Sequence, residues 1–394
     1  MQPEAPTIRP IAAARSDGWP EGFASGERNR SALLVLSALR GLTPRRLLEV
    51  ARRERTAART LTAITRGVAG SQNDRRVAAG LDARHLADRL RVCGSRLVAV
   101  GDPEYPEELG DLDDPPATLF VRGRPLADLA PRVAVVGARN ASPLGREVAR
   151  SLGSGLAGAG VCVVSGAARG IDAEAHLGAL ARDGPTIAVL GCGIDRAYPA
   201  RHATLLDEVA RVGAIVSEYP PGVPAEPHRF PARNRIVAAM SIGVVVVEGA
   251  EGSGSMISAD HALDLGRPVF AVPGPVTSPL AAAPLELIRD GATPIRHTDD
   301  LLLDLGLRPL AERVSTDGVA RSLPPGHGSA VAEDPWGDLS RLERAVLAAL
   351  GGAMLPEQIA RSVSRTLTEV VPVLLGLVMR GVVREVGGRY EIRA

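Results

Sequence analysis

The sequence predicts a doubly wound α/β fold set between a small helical N-terminal domain and a C-terminal winged helix. Two observations carry the central prediction. First, six short apolar runs recur from Val133 onward: Val133 to Val136, Val161 to Val164, Ile187 to Leu190, Ala214 to Val216, Val244 to Val247 and Val269 to Val272. Each is continuous, rich in valine and isoleucine, and bounded by Gly, Ser, Pro or charge, as strands buried on both faces are. Second, helical stretches separate the runs, which places the sheet in the parallel class with helices on both faces. Such sheets bind ligands beyond the carboxyl ends of their strands, so the residues after each run are the candidates for function.

The flanking elements follow in order. Residues 1–28 are rich in Pro, Gly and Ala without periodicity and read as a flexible tail. A helical domain spans 29–101. Leu33, Leu36 and Leu39 mark one helix, Gly41 ends it, and Thr43-Pro44 can cap and start the next. Gly80-Leu81-Asp82 repeats that turn. The plan is helix-hairpin-helix-like (or SAM-like), a module whose turn amides can hold a DNA phosphate; a plain packing domain explains the same residues. The α/β domain spans 102–307, and 308–335, with Pro324-Pro325-Gly326, is a linker. In 336–394 three helical stripes precede Val382 to Val386, a Gly387-Gly388 turn and Arg389 to Ile392, which is the winged-helix order.

Composition narrows the function. At 45% hydrophobic and 23% charged residues the chain is neither disordered nor fibrous. All 46 basic residues are arginine and 45 acidic residues oppose them, for a net charge of +1. There is no global basic signal, so an anion site must be a local gathering of arginines. Cys93, Cys162 and Cys192 form no Cys-x-x-Cys pair, which argues against a disulfide framework or a zinc ribbon. No apolar run reaches membrane-spanning length, and no leader pattern opens the chain. A cytoplasmic protein with no membrane contact, cofactor or metal is expected.

Four loops can carry chemistry. After the first run come Gly137, Ala138 and Arg139, with a helix opening near Gly145. This is not G-x-G-x-x-G, so the dinucleotide fingerprint is missing where it should sit. Glycine permits close backbone approach, helix-end amides suit a phosphate, and Arg139 adds a bidentate donor. After the second run, Ser165, Gly166, Arg169 and Gly170 suggest an anion cradle. Asp172 and His176 stand four apart on the next helix and read as a hydrogen-bonded pair that orients the loop. Arg229, Phe230, Arg233, Asn234 and Arg235 form the densest cluster; a ring there can stack a base while guanidinium groups hold phosphates. The bland reading is a loop whose arginines pair with Glu226 and Glu218. Ser253, Gly254 and Ser255 open a further helix with small residues suited to phosphate, although Glu248 and Glu251 oppose an anion there.

Taken together these stretches resemble the DNA-processing protein A (DprA/Smf) family of bacterial recombination mediators. The residues that carry the resemblance include Tyr105-Pro106, Asp114-Pro115-Pro116, Gly137-Ala138-Arg139, Ser165-Gly166, Gly170-Ile171-Asp172, Tyr198-Pro199, Phe230-Pro231, Arg233-Asn234-Arg235, Ser253-Gly254-Ser255 and Pro273-Gly274. The resemblance implies a Rossmann-like domain that binds single-stranded DNA without catalysis. It also implies a homodimer and delivery of the recombinase RecA onto incoming strands during natural transformation. Arg139, Ser165, Gly166, Phe230, Arg233 and Asn234 are its implied pocket. Pro227 stands where members often carry a basic residue, which Arg229 can replace, and Ala281 to Pro284 depart from the family's rim. The competing class is a nucleotide-hydrolysing enzyme of the phosphoribohydrolase type. Its loop corresponds to Gly252 to Ile257, where the family's proline and glutamate are missing.

Overall fold

The structure is a computed structural model that describes residues 18–307, 341–350, 354–363, 365–379, 382–386 and 389–392. The chain divides into two compact units, Met1–Arg321 and Ser322–Ala394. The expected linker and most of the expected tail lie outside the described residues.

In the first unit, five helices open the chain: α1 (Glu27–Ser37), α2 (Pro44–Glu54), α3 (Ala57–Thr65), α4 (Gln72–Gly80) and α5 (Ala83–Val92). The caps are those the sequence offers. Thr43 accepts from the Arg46 amide with Pro44 in the first turn, and Asp82 accepts from the Arg84 amide. The turn at Gly41 is no phosphate cradle. The Asp74 carboxylate already accepts from the amides of Arg40 (3.0 Å), Gly41 (2.8 Å) and Ser71 (2.8 Å). Burial pushes the Asp74 pKa up, but these bonds outweigh it and hold the group below the usual carboxylate value. The packing reading of this segment therefore prevails at that turn.

Three strands escaped the sequence reading. β1 (Ser95–Ala99), assigned to the helical domain, pairs antiparallel with β2 (Thr118–Gly123), and β9 (Thr293–Pro294) closes the far edge. The six predicted runs are all strands: β3 (Arg132–Val136), β4 (Cys162–Ser165), β5 (Thr186–Leu190), β6 (Ala214–Ser217), β7 (Val244–Val246) and β8 (Val269–Ala271). The sheet order is β1-β2-β6-β5-β4-β3-β7-β8-β9, with β3 to β9 parallel and β2 antiparallel to β6. The order runs outward in both directions from β3, so the topological switch point lies between β3 and β7.

Burial on both faces explains the continuous apolar runs. Val133 and Val135 of β3 enter one core with α6 (Pro143–Gly158) and α7 (Ile171–Leu180). Ala134 and Val136 enter the opposite core with α9 (Arg229–Ala239) and α10 (Gly254–Asp264). The remaining helices of the unit are α8 (Ala203–Val212), α11 (Ala282–Arg289) and α12 (Thr298–Asp304). Leu34, Leu86 and Leu90 of the N-terminal helices share a core with Phe120, Leu190 and Ile215 of the sheet. Phe23 is 1% exposed and packs on Trp19, whose indole donates to the Pro115 carbonyl at 3.0 Å. Trp19, Pro20, Phe23 and Ala24 are thus packed, although the sequence places them in the tail. Two aromatics that find apolar partners outweigh the local Pro/Gly composition.

The second unit holds α13 (Arg341–Ala349), α14 (Pro356–Ser362), α15 (Leu367–Met379) and the antiparallel pair β10 (Val383–Val386) and β11 (Arg389–Ile392). Val346, Ile359, Val370, Leu374, Leu377 and Tyr390 form its core. The Gly387-Gly388 turn lies outside the described residues. No helix among the described residues is long and apolar enough to cross a membrane.

Candidate functional site

The carboxyl ends of β3, β4 and β7 and the start of α9 enclose a hollow of about 480 Å³ at the switch point. Gly137, Arg139 and Asn140 line it after β3, Gly166 and Ala168 after β4, and Ser253, Gly254 and Ser255 after β7. Phe230, Arg233 and Asn234 of α9 face them across it. Segments about 120 residues apart thus meet, because the strand order reverses there.

Each member has a definite place. Gly137 is required: a Cβ would meet Ile171 Cγ1 at 2.7 Å and the Glu248 carbonyl oxygen at 2.8 Å. Gly170, at φ +76°, packs against the Ala138 and Arg139 carbonyls, and the Ile171 amide donates to Ala138 O at 3.2 Å. Arg139 is exposed, has no ion pair among the described residues, and lies 5.3 Å from the Phe230 ring centroid. Asn234 donates to the Gly254 carbonyl at 3.1 Å and ties α9 to the start of α10. Ser253 and Ser255 share a hydroxyl bond of 2.6 Å. In the first turn of α10 the Met256 amide donates to the Ser253 carbonyl at 3.0 Å, which leaves the Gly254 and Ser255 amides ahead of the first helical bond, and that positive helix end lies on the hollow.

Several expected residues do other work. The Ser165 hydroxyl donates to the Val135 carbonyl at 2.7 Å and is fully buried, so it joins strands and leaves the hollow to Gly166. Arg169 is exposed and lines a neighbouring hollow. Arg229 is 5% exposed; it donates to Pro224 O, pairs with Glu226 at 3.1 Å and lies 5.1 Å from the Tyr219 ring. It therefore does not replace the basic residue that Pro227 displaces. Arg233 is buried at the floor, donating to the Val189 carbonyl beneath Gly166. Burial lowers its pKa and the nearby Asp172 charge pulls it back, so it supplies positive potential from below rather than an open donor fork. Glu248, which the sequence sets against an anion at α10, turns its carboxylate onto the Ser142 amide (2.9 Å) and hydroxyl at the start of α6. The α6 end is thereby neutralised internally and α10 is left as the helix end facing the hollow.

Asp172 and His176 are not a hydrogen-bonded pair. Asp172 accepts from the Gly166 (3.1 Å) and Ala168 (3.3 Å) amides and braces that loop. Burial pushes its pKa up against the pull of Arg233 and those amides. His176 Nδ1 lies 2.7 Å from Thr186 Oγ1, whose hydroxyl donates to the Val163 carbonyl, so Nδ1 carries the hydrogen. Nε2 is buried without a partner, and burial drives the His176 pKa from 6.5 down to about 3. The native state therefore resists a proton that the unfolded chain takes up below 6.5. We expect His176 to remove stability as pH falls from 6.5 toward 3, on the order of a few kcal/mol. Denaturation midpoints across that range should show a shallower pH slope in His176→Asn than in the parent.

The sequence reading missed Asn140 and Leu280 in the hollow and Arg201 beside it, and it named Tyr198 only as part of the family resemblance, with no place in the site. Leu280 arrives because the Gly249 amide donates to its carbonyl at 2.7 Å, filling the rim where the family pattern departs. Tyr198 belongs to a rare class, since aromatics make up only 3% of the chain, but nothing local links it to Phe230.

A sheet whose central strands run parallel, with guanidinium groups and a helix N-terminus gathered at its switch point, places the chain among α/β proteins whose strand ends can hold a phosphate-bearing ligand. Comparison with known proteins makes this specific. The family described as DNA recombination-mediator protein A matches residues 96–306, and the chain belongs to it. The chain is 38% identical over 213 residues to the DNA processing protein DprA of Bacillus subtilis (strain 168), covering 54% of this chain and 72% of that protein. It is 37% identical over 298 residues to protein Smf of Escherichia coli (strain K12), covering 75% and 76% respectively. The X-ray structure of DNA processing protein A from Streptococcus pneumoniae superposes with a TM-score of 0.62 at 33% identity, covering 71% of this chain and 98% of that one.

Proposed function

We propose that the hollow holds the backbone of single-stranded DNA and that the chain acts on it without catalysis, shielding the strand and passing it to RecA. Arg139 supplies the accessible donor fork, the α10 amides with Ser253 and Ser255 hold further phosphate oxygens, and Arg233 adds charge from the floor. The convergence of these groups in a chain with a net charge of only +1 supports the reading most strongly. Backbone contacts carry no sequence code, so little sequence preference follows. Paired bases cannot turn a face toward an aromatic ring at the hollow, so duplex should bind more weakly.

A salt series on single strands and duplex of equal length tests this. Single-strand affinity should fall by about 0.7 log units per decade of salt for each phosphate neutralised. Equal binding of both forms, or a flat salt response, would count against the assignment. A second copy of the chain is the other proposed partner, and the second unit, proposed as a winged helix, is proposed as a protein-contacting module. Light scattering checks the first, and recombinase capture by a chain lacking 336–394 checks the second.

A further inference from the structure

We propose that a second nucleotide position adjoins the hollow, with Tyr198 as its base-stacking surface and Arg169 and Arg201 as its phosphate donors. This rests on the single-strand reading above and extends it. The Phe230 ring is already engaged twice, by Arg139 at 5.3 Å and by Tyr198 at a centroid distance of 4.9 Å and an interplanar angle of 34°. Tyr198 is 46% exposed, the one aromatic among the exposed large hydrophobics of the described residues. The apolar face open to a base is therefore chiefly that of Tyr198. Phe230 links it to Arg139 in a continuous stack.

A second hollow of about 460 Å³ lies at this face. It shares Arg139, Gly166, Ala168 and Phe230 with the first, so the two hollows adjoin. No Asp or Glu lines it. Arg169 and Arg201 both line it, both are exposed, and neither has an ion pair among the described residues. Their two loops are joined, since His202 Nδ1 donates to the Ala167 carbonyl at 3.0 Å. An exposed ring flanked by two unneutralised guanidinium groups, continuous with a phosphate-binding hollow, suits a nucleotide of any sequence: every base has a face to stack and every linkage a charge to hold.

Fluorescence anisotropy on the full chain tests this, using a thymidine oligomer of about 20 nucleotides and an abasic strand of the same length. Tyr198→Ala should weaken binding of the thymidine strand about tenfold and leave the abasic strand unaffected, while Tyr198→Phe binds both as the parent does. The Arg169→Ala/Arg201→Ala double variant, altered only at exposed positions, should weaken both strands and lower the salt slope. If Arg139→Ala loses affinity while Tyr198→Ala and the double variant bind like the parent, the second position is overturned and the first reading stands. If the parent binds neither strand, the single-strand reading itself fails. Should Tyr198→Ala prove unfolded by circular dichroism, the double variant alone decides.

Discussion

Arg139→Ala is expected to weaken single-strand binding roughly 10- to 100-fold, the range for losing a charge-assisted contact to a phosphate. The reasoning is geometric. Of the two arginines that line the first hollow, Arg139 is exposed and unpaired among the described residues, whereas Arg233 is buried and donates to a carbonyl. Removing Arg139 therefore removes the accessible fork. It also releases the Phe230 ring, whose cation contact at an exposed site contributes about 0.5–1 kcal/mol. The salt slope should fall by about 0.7, the share of one phosphate. Folding stability should change by no more than about 1 kcal/mol, the scale of that cation contact, because no buried group loses a partner. Arg139→Lys should recover only part of the affinity, since a point charge does not reproduce a planar fork. Unchanged affinity in Arg139→Ala at low salt would remove the basis of the assignment.

Arg235→Ala, two residues along the helix from Arg233, is expected to act on stability instead. Arg235 is 6% exposed; its Nη2 donates to both Glu218 oxygens, at 2.8 and 2.9 Å, and its Nε lies 3.3 Å from Asp114. Glu218 follows β6 and Asp114 precedes β2, so one guanidinium joins three parts of the unit. Burial lowers the Arg235 pKa, but the two carboxylates outweigh it and hold it above the ordinary arginine value. Truncation strands both carboxylates with no cation between them, for which a loss of about 3–5 kcal/mol is expected. Chemical denaturation should show the midpoint shift. Single-strand affinity, measured well below that midpoint, should hold within about twofold, because Arg235 does not line the hollow. A variant as stable as the parent would show that the carboxylates reach water or another partner when Arg235 is lost.

These two expectations mark how much of the site was legible in the order of residues. The loops after β3, β4 and β7 could be found because a parallel sheet places its ligand there, and because Gly137, Gly166 and Ser253 to Ser255 are small residues at strand ends. The cluster from Arg229 to Arg235 stood out by density of charge, but its members could not be sorted. Arg229, Arg233 and Arg235 lie on one helix, and their fates depend on Glu226, Val189 and Glu218, of which only Glu226 is near in sequence. Ser165 was misplaced for a similar reason. A serine at a strand end can face a ligand or bond a neighbouring strand, and the Val135 carbonyl that decides it lies 30 residues away.

Pattern alone established the parallel strands, since burial on both faces demands unbroken apolar runs, and it established which connections could approach a ligand. It did not reveal β1 or β2, which sit at the antiparallel edge. Nor could it say which charges are spent. An arginine is open to a phosphate only if no carboxylate or carbonyl reaches it first, and those acceptors are brought up by chain crossings the local sequence does not encode. Packing made that selection: it buried Arg229, Arg233 and Arg235, turned Glu248 onto a neighbouring helix, and left Arg139 beside Phe230 facing the solvent.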